Sequence, residues 1–247
     1  MLFRFCLYGF LKNQRYYEPF LVLALLDKGL DFFAIGLLVA FREIVINLCE
    51  VPSGTLADDW GRRASLVICF TSYTISFALF GIASSFPVLL GAMFFFAIGD
   101  ALRSGTHKSM IFAWLRNRDE TERRTEVYGF TRSWSKVGSA LSVVIGAILV
   151  FTVQNYEIVF YTAMIPCLIS IANILSYPRD LEGKSEARSI SEGFAHLRKA
   201  LVEVWQTRPL RKLMVESMGF EGAFTVTKDY LQPVLEKTAL ALTVGWA

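Results

Sequence analysis

Apolar residues run in long blocks along this chain, and the polar residues between them fall at near-regular intervals. Most blocks match the roughly 20 residues that an α-helix needs to cross the hydrocarbon of a bilayer. The pattern predicts spans at residues 3–26, 34–55, 64–84, 88–105, 128–153, 157–177 and 213–235. Between the last two, residues 179–212 are rich in charge, Gly and Ser and hold no block long enough to cross. Within that stretch Phe194, Leu197, Leu201 and Val204 share one side of a predicted surface helix over 191–207. The expected fold class is therefore all-α: a polytopic membrane helix bundle. It divides into a six-helix bundle (1–177), a basic cytoplasmic linker (178–212), and a seventh helix with a short tail (213–247).

The polar residues inside the blocks carry the next layer of information. The first block contains Lys12-Asn13-Gln14-Arg15-Tyr16-Tyr17-Glu18-Pro19. Tyr8, Lys12, Arg15 and Pro19 recur at helical spacing, which predicts one helix, bent at Pro19, with a polar side turned toward a bundle interior. The competing layout splits the block at the insert into two shorter pieces. Glu43, Asn47 and Glu50 share a face of the second span, beside Arg42. The third span has no ionisable residue and is expected to face lipid over much of its surface. Asp100 and Arg103, spaced i, i+3 near the end of the fourth, read as a local ion pair, with His107 at the membrane boundary. On the fifth, Arg132 and Lys136 lie one turn apart, and Gly138, Ser142 and Gly146 form a small-residue stripe that predicts a close helix contact. The seventh carries Glu216, Glu221, Lys228 and Asp229.

Composition agrees with this layout. Hydrophobic residues make up 54% of the 247, and the mean hydropathy is +0.44, too apolar for an ordinary soluble domain of this size. The net charge of +3 does not point to nucleic acid. Its distribution is more telling. Arg62 and Arg63, then Lys108, Arg116, Arg118, Arg123 and Arg124, then the basic stretch 179–212 all fall on one side of the predicted layout. By the positive-inside rule that side is cytoplasmic, together with the N-terminus, and the protein is expected in the plasma or inner cell membrane. Cys6, Cys49, Cys69 and Cys167 lie inside apolar blocks without ligand spacing and read as packing residues. No cleavable signal peptide is evident.

Counting depth from the boundaries puts Lys12, Arg15, Asn47, Asp100, Lys136 and Glu221 in the inner half to middle of the bilayer. Each charged group there costs about 2.5–3.5 kcal/mol on insertion scales unless it is paired or hydrated. Several such groups from different spans at similar depth imply a shared polar cavity, hence a pathway for a small solute and ions. Ion pairs that only fix helix register are the alternative, and Glu43 and Glu50 fit either use. Lys12 and Arg15 together need more neutralisation than Glu18 alone supplies. An anionic group on a solute could provide it, as could Asp100 or Glu221. Glu18, Asp100 and Glu221 are the candidate proton sites.

Between the second and third spans lies Pro52-Ser53-Gly54-Thr55-Leu56-Ala57-Asp58-Asp59-Trp60-Gly61-Arg62-Arg63, expected as a tight charged turn. It closely resembles the loop between the second and third helices of major facilitator superfamily transporters, G-x-L-A-D-x-x-G-R-[RK], matching at Gly54, Leu56, Ala57, Asp58, Gly61, Arg62 and Arg63. The resemblance extends over about residues 3–235. It implies a six-helix half, a central basic loop and the first helix of a second half, with two halves rocking about a central cavity. It also implies a gating role for Asp58, Arg62 and Arg63 at the interface between halves, with Gly54 and Gly61 as packing positions. Three departures stand beside it: the fifth-helix G-x-x-x-G-P of drug/proton antiporters is absent, Gly105 follows Arg103 too early for the fourth-helix R-x-x-x-G, and the chain ends after seven spans where the family has about twelve. A truncated product is the expectation.

The function expected from these readings is secondary active transport of a small solute by alternating access, ion- or proton-coupled. Its partners would be the lipid bilayer, the solute and protons. Self-association or a missing C-terminal half would cover the exposed cavity face. A non-transporting seven-helix sensor is the alternative, although seven spans with the N-terminus inside invert the usual receptor orientation. An enzyme is not expected. There is no G-x-x-x-x-G-K-[ST] loop, and His107 and His196, the two histidines, fall at or beyond the cytoplasmic edge. Nothing calls for a cofactor or a metal.

Overall fold

A computed structural model describes residues 1–59, 61–83, 85–103, 106–178 and 181, together with scattered positions between 206 and 238. All regular structure among these residues is helical. In order come α1 (Leu2–Leu11), a 3₁₀ turn (Glu18–Phe20), α2 (Leu21–Asp27), α3 (Phe32–Asp59) and α4 (Arg62–Ile82). Then follow α5 (Phe86–Arg103), α6 (Thr106–Arg116), a second 3₁₀ turn (Thr121–Arg123), α7 (Arg124–Val153) and α8 (Ile158–Leu175). Among the described residues, five helical stretches are long and apolar enough to cross a membrane: Phe32–Cys49, Arg62–Ile82, Phe86–Arg116, Thr121–Val153 and Ile158–Leu175. The predicted surface helix over 191–207 lies almost entirely, and the seventh span with Glu221 mostly, outside the described residues. Glu221 is among those not described.

The first span departs from its expected form. Rather than one bent helix, it is two short helices separated at residues 12–17. The reason is local. A helical Pro19 would offer no N–H to the Arg15 carbonyl and its ring would clash with that carbonyl, while four consecutive polar side chains before it compete for backbone groups. Tight turns replace the helix: the N–H groups of Lys12, Asn13 and Gln14 donate to the carbonyls of Tyr8, Phe10 and Leu11 at 3.0, 3.2 and 3.0 Å. The Asn13 amide donates to the Gly9 carbonyl at 2.7 Å. Non-helical backbone at membrane depth is tolerated where neighbouring protein groups satisfy it in this way.

Long-range contacts show that the passes alternate in direction. At one end Arg4 of α1 donates to the Ser176 carbonyl at 2.5 Å, and Arg63 of α4 donates to the Leu175 carbonyl. At the other end Lys28, just after α2, meets both the Ala83 carbonyl (3.0 Å) after α4 and the Glu157 carboxylate (2.5 Å) before α8. The core between these ends is aromatic. Tyr17, Phe77 and Phe96 form one cluster and Phe80 stacks on Phe160.

α4 is the central helix and packs against α5 and α8. The expectation that it faces lipid over much of its surface is therefore corrected: 56% of its apolar window is buried, against 17% for α3 and α7. Small polar side chains explain this. Ser65, Ser72 and Ser76 are buried, and Ser76 donates to the Ala92 carbonyl of α5 at 2.8 Å. Hydroxyls that bond to a backbone let helices approach closely without a lipid-facing requirement. The predicted stripe on α7 is a close contact as expected. Gly138, Ser142 and Gly146 are buried, and Gly138 and Gly146 lie against the carbonyls of Phe10 and Tyr16 in the broken first span.

The charged turn is shorter than its sequence suggests. α3 remains helical through Asp59 and α4 begins at Arg62. Gly61 precedes α4 with φ +89°, a backbone conformation that side-chain-bearing residues rarely adopt. The surroundings of Gly54 and the Asp58 side chain lie outside the described residues.

Candidate functional site

The break in the first span borders a cleft lined by several charged and polar side chains. Residues 12–17 leave the helical path just where α4, α5 and α8 converge, so that side chains from four passes meet. Lys12, Gln14, Arg15 and Tyr17 come from the break, Phe70, Tyr73 and Phe77 from α4, Arg103 from α5, and Pro166 and Cys167 from α8. The cavity they line is small, about 30 Å3, and is partly open to solvent. Pro166 sits inside α8 and has no N–H, which leaves the carbonyl one turn back without its helical donor beside the cleft.

Three cations line this space, and their partners differ. Arg103 Nη2 donates to Asp100 Oδ1 at 2.5 Å, the same oxygen that accepts the Tyr73 hydroxyl at 2.5 Å. The Arg103 guanidinium also lies 6.0 Å from the Tyr73 ring centre. Arg15 faces Glu18 at 3.5 Å. Lys12 makes no ion pair among the described residues. Its ammonium lies 5.5 Å from the Tyr8 ring centre, and Arg15 and Arg103 line the same cleft. Two buried polar atoms here have no hydrogen-bond partner, Gln14 Oε1 and Arg103 Nε. Gln14 is 5% exposed, and its amide is held in place by donation to the Gly138 carbonyl of α7 at 3.2 Å.

Of the residues from the depth count, Lys12 and Arg15 line the cleft, while Asp100 and Glu18 border it through their pairs with Arg103 and Arg15. Asn47 and Lys136 are exposed on α3 and α7 and do not line the cleft. Asn47 donates to the Glu43 carbonyl one turn back at 2.7 Å. Glu43 pairs with its neighbour Arg42 at 2.7 Å. His107, expected at the boundary, is instead buried, stacked on Tyr8 with 3.7 Å between ring centres and 3.2 Å from the Tyr177 hydroxyl. Arg103, Tyr73 and Gln14 are site residues that spacing alone left out. Tyr73 gave no charge signal, Gln14 was one polar residue among several, and Arg103 looked satisfied by Asp100 within its own helix.

Such an arrangement can hold an anion, and it can exchange charge. A carboxylate shared by a tyrosine and an arginine stabilises its ionised form through both donors, so its protonation would release the arginine. The family model of the Major Facilitator Superfamily matches residues 5–246. The chain belongs to the Major Facilitator Superfamily. It is accordingly a multi-pass membrane protein of a transporter family. Among superfamily relatives, an uncharacterized MFS-type transporter of Bacillus subtilis, YxaM, is 34% identical over 93 residues, 38% of this chain and 23% of that protein. A probable 4-methylmuconolactone transporter of Cupriavidus pinatubonensis is 28% identical over 147 residues, 58% of this chain and 33% of that protein. In fold, the chain is similar to a crystal structure of the peptide transporter POT, with a TM-score of 0.58 and 17% identity over 94% of this chain and 49% of that one. The nucleoside transporter NupG is similar with a TM-score of 0.56 and 16% identity, over 83% and 50%. The chain therefore spans about half the length of these solved transporters.

Proposed function

We propose that this chain supplies the solute-binding bundle of a secondary active transporter that works by alternating access, with its N-terminus and its basic stretches on the cytoplasmic side. The observation that carries the reading is the cleft at the broken first span, where Lys12, Arg15, Arg103 and Asp100 meet below the aromatic wall of α4. Charged groups inside a bundle are expensive unless they serve a pathway or one another, and discontinuous helices at mid-depth are a recurring way to build a transport site. Lys12 and Arg15 serve as solute-contacting residues, and Asp100 and Glu18 as the groups that take up and release the coupling proton. A second bundle, whether from a further part of the protein or from another copy, closes the cavity. The name of the Cupriavidus relative makes small cyclic organic acids the first solutes to try.

Arg15→Ala is expected to abolish solute binding and uptake while the protein still inserts. Radiolabelled uptake into cells, alongside immunoblotting of the membrane fraction, checks this, and failure to insert would assign Arg15 to structure instead. The turn between α3 and α4 has the gating role that its motif suggests, through Asp58, Arg62 and Arg63, with Gly54 and Gly61 allowing close packing. Asp58→Asn is expected to slow uptake at least tenfold with little change in the concentration for half-saturation. Unchanged uptake kinetics would remove the gating assignment.

A further inference from the structure

Away from the cleft, α7 exposes two flanks of opposite character on either side of its buried stripe, which includes Thr131, Ser135 and Gly138. Phe130, Trp134, Val137, Leu141, Val144 and Ile148 recur at helical spacing and are all exposed, as suits a side that lies in lipid. On the other flank stand Tyr128, Arg132, Lys136 and Ser139, at i, i+4, i+8 and i+11. Arg132 and Lys136 are exposed, and neither is ion-paired among the described residues. Where this flank reaches the Arg124 end of the helix, the Lys108 ammonium lies 5.4 Å from the Tyr128 ring centre and 5.6 Å from that of Phe112. Arg124 lies 5.5 Å from the same Phe112 ring. Thus α6 and α7 each bring to this end a cation without a carboxylate partner among the described residues.

Lys136 lies near the middle of α7, about 18 Å along the axis from Arg124. A cation in lipid at that depth costs about 2.5–3.5 kcal/mol on insertion scales, and like charges one turn apart add to the cost. Glu120 and Glu126, close in sequence to Arg124, are both engaged by Arg123. A row of cations along one flank, with no carboxylate paired to any of them, is tolerable where water hydrates it and anions screen it. The apolar flank can meet lipid, whereas the cationic flank needs an aqueous space. Charge then selects what collects there: a cleft lined by one sign of charge between apolar walls concentrates soluble ions of the opposite sign and excludes those of its own.

We infer that this flank of α7 lines an aqueous path for small soluble oxyanions, carboxylates or phosphates, which enters beside Lys108 and Arg124 and runs past Arg132 to Lys136. The path is distinct from the cleft at the break, which Arg132 and Lys136 do not line. The inference rests on the transport reading for the use of the path and on the two flanks of α7 for its chemistry. Anionic lipid headgroups carry the same charge to the same residues, and side chains that snorkel to the bilayer surface need no path at all. The test separates these outcomes.

The test places a thiol on the cationic flank without touching its charges. Ser139→Cys in a Cys49→Ser chain leaves Cys6, Cys69 and Cys167, all buried, as the other thiols. The whole chain is reconstituted in phosphatidylcholine nanodiscs and treated with two water-soluble methanethiosulfonates, one bearing a sulfonate and one a trimethylammonium group. Both consume the thiolate, so the ratio of their rates, taken against the ratio for mercaptoethanol, reports the charge around the site and not the ionisation of the thiol. The sulfonate reagent is expected to be favoured roughly tenfold or more at Ser139→Cys, while Leu141→Cys, on the apolar flank, stays unreactive to both. Adding Arg132→Gln and Lys136→Gln should return the ratio to that of mercaptoethanol. No reaction at Ser139→Cys would place the flank in lipid and overturn the inference, and so would equal preference for the two reagents. Loss of the sulfonate reaction in phosphatidylglycerol nanodiscs, with no protection by soluble phosphate or acetate in phosphatidylcholine ones, would overturn it in favour of lipid headgroups. The comparison of reagents and of flanks needs no change to a cation, so it decides the matter even if the charge variants fold poorly. Selective labelling without solute uptake by proteoliposomes would sink the carrier reading and leave the path standing. Uptake with an unreactive Ser139→Cys would do the opposite.

Discussion

Gly138→Val should abolish the seating of α7 on the first span and give a protein that unfolds at far lower temperature in detergent or fails to accumulate. A Cβ at Gly138 would lie 2.5 Å from the Phe10 carbonyl oxygen and 3.1 Å from the Phe10 Cα. Both are backbone atoms, so no side-chain rotation relieves the clash and the two passes must separate. Gly146 has the same relation to the Tyr16 carbonyl at 2.9 Å, and Gly9 on α1 meets the Thr131 carbonyl of α7 at 2.9 Å. Separation also removes the Gly138 carbonyl from the Gln14 amide, which orders the break. The expected loss is about 3 kcal/mol or more, at or above the upper end of ordinary overpacking. Gly129, on the same helix with nothing within 4 Å of its Cβ position, provides the control: Gly129→Ala leaves the unfolding temperature within error. If Gly138→Val matched the control, the close contact between α7 and the first span would be wrong.

The second large effect is expected at Asp100. Replacing it with Leu removes the carboxylate that accepts both Arg103 and Tyr73 and leaves an arginine inside the bundle, its Nε already without a partner. Breaking one side of a buried pair costs about 3–5 kcal/mol; with both side chains about one-fifth exposed, roughly half that figure is expected here. The double change Asp100→Leu with Arg103→Met should recover most of the loss, because it removes the stranded charge as well. Thermal unfolding of the two single variants and the double variant measures the coupling directly. Additive losses would mean that the pair does not hold α5 in place. Uptake is a separate readout: it should be absent in both variants that lack Asp100, stable or not, if Asp100 carries the coupling proton.

Much of the fold was legible because a bilayer imposes a coarse rule. Blocks of the right length read as passes, and the second to sixth appear as helices within a few residues of their expected bounds. The α7 stripe was legible for a related reason: small residues at helical spacing have little use on a lipid-facing surface. The first span was misread because helical periodicity at Tyr8, Lys12, Arg15 and Pro19 was weighed above the local effect of proline and four polar neighbours. α4 was misread because the absence of charge was equated with lipid exposure. Its serines and Tyr73 instead make it the helix on which the others pack.

The sequence by itself determined the class of protein, the order of the five long apolar helices among the described residues, and the stripe along which α7 approaches. These follow from counts of apolar residues and their spacing, which one helix expresses alone. Only the tertiary structure decided which polar groups share a cleft. Lys12 and Gln14 become neighbours of Arg103 because the first span breaks where α4, α5 and α8 converge, and Tyr73 joins Asp100 across two helices. Such proximity depends on helix rotation and on carbonyls freed by unwinding, and residue spacing within a single helix encodes neither.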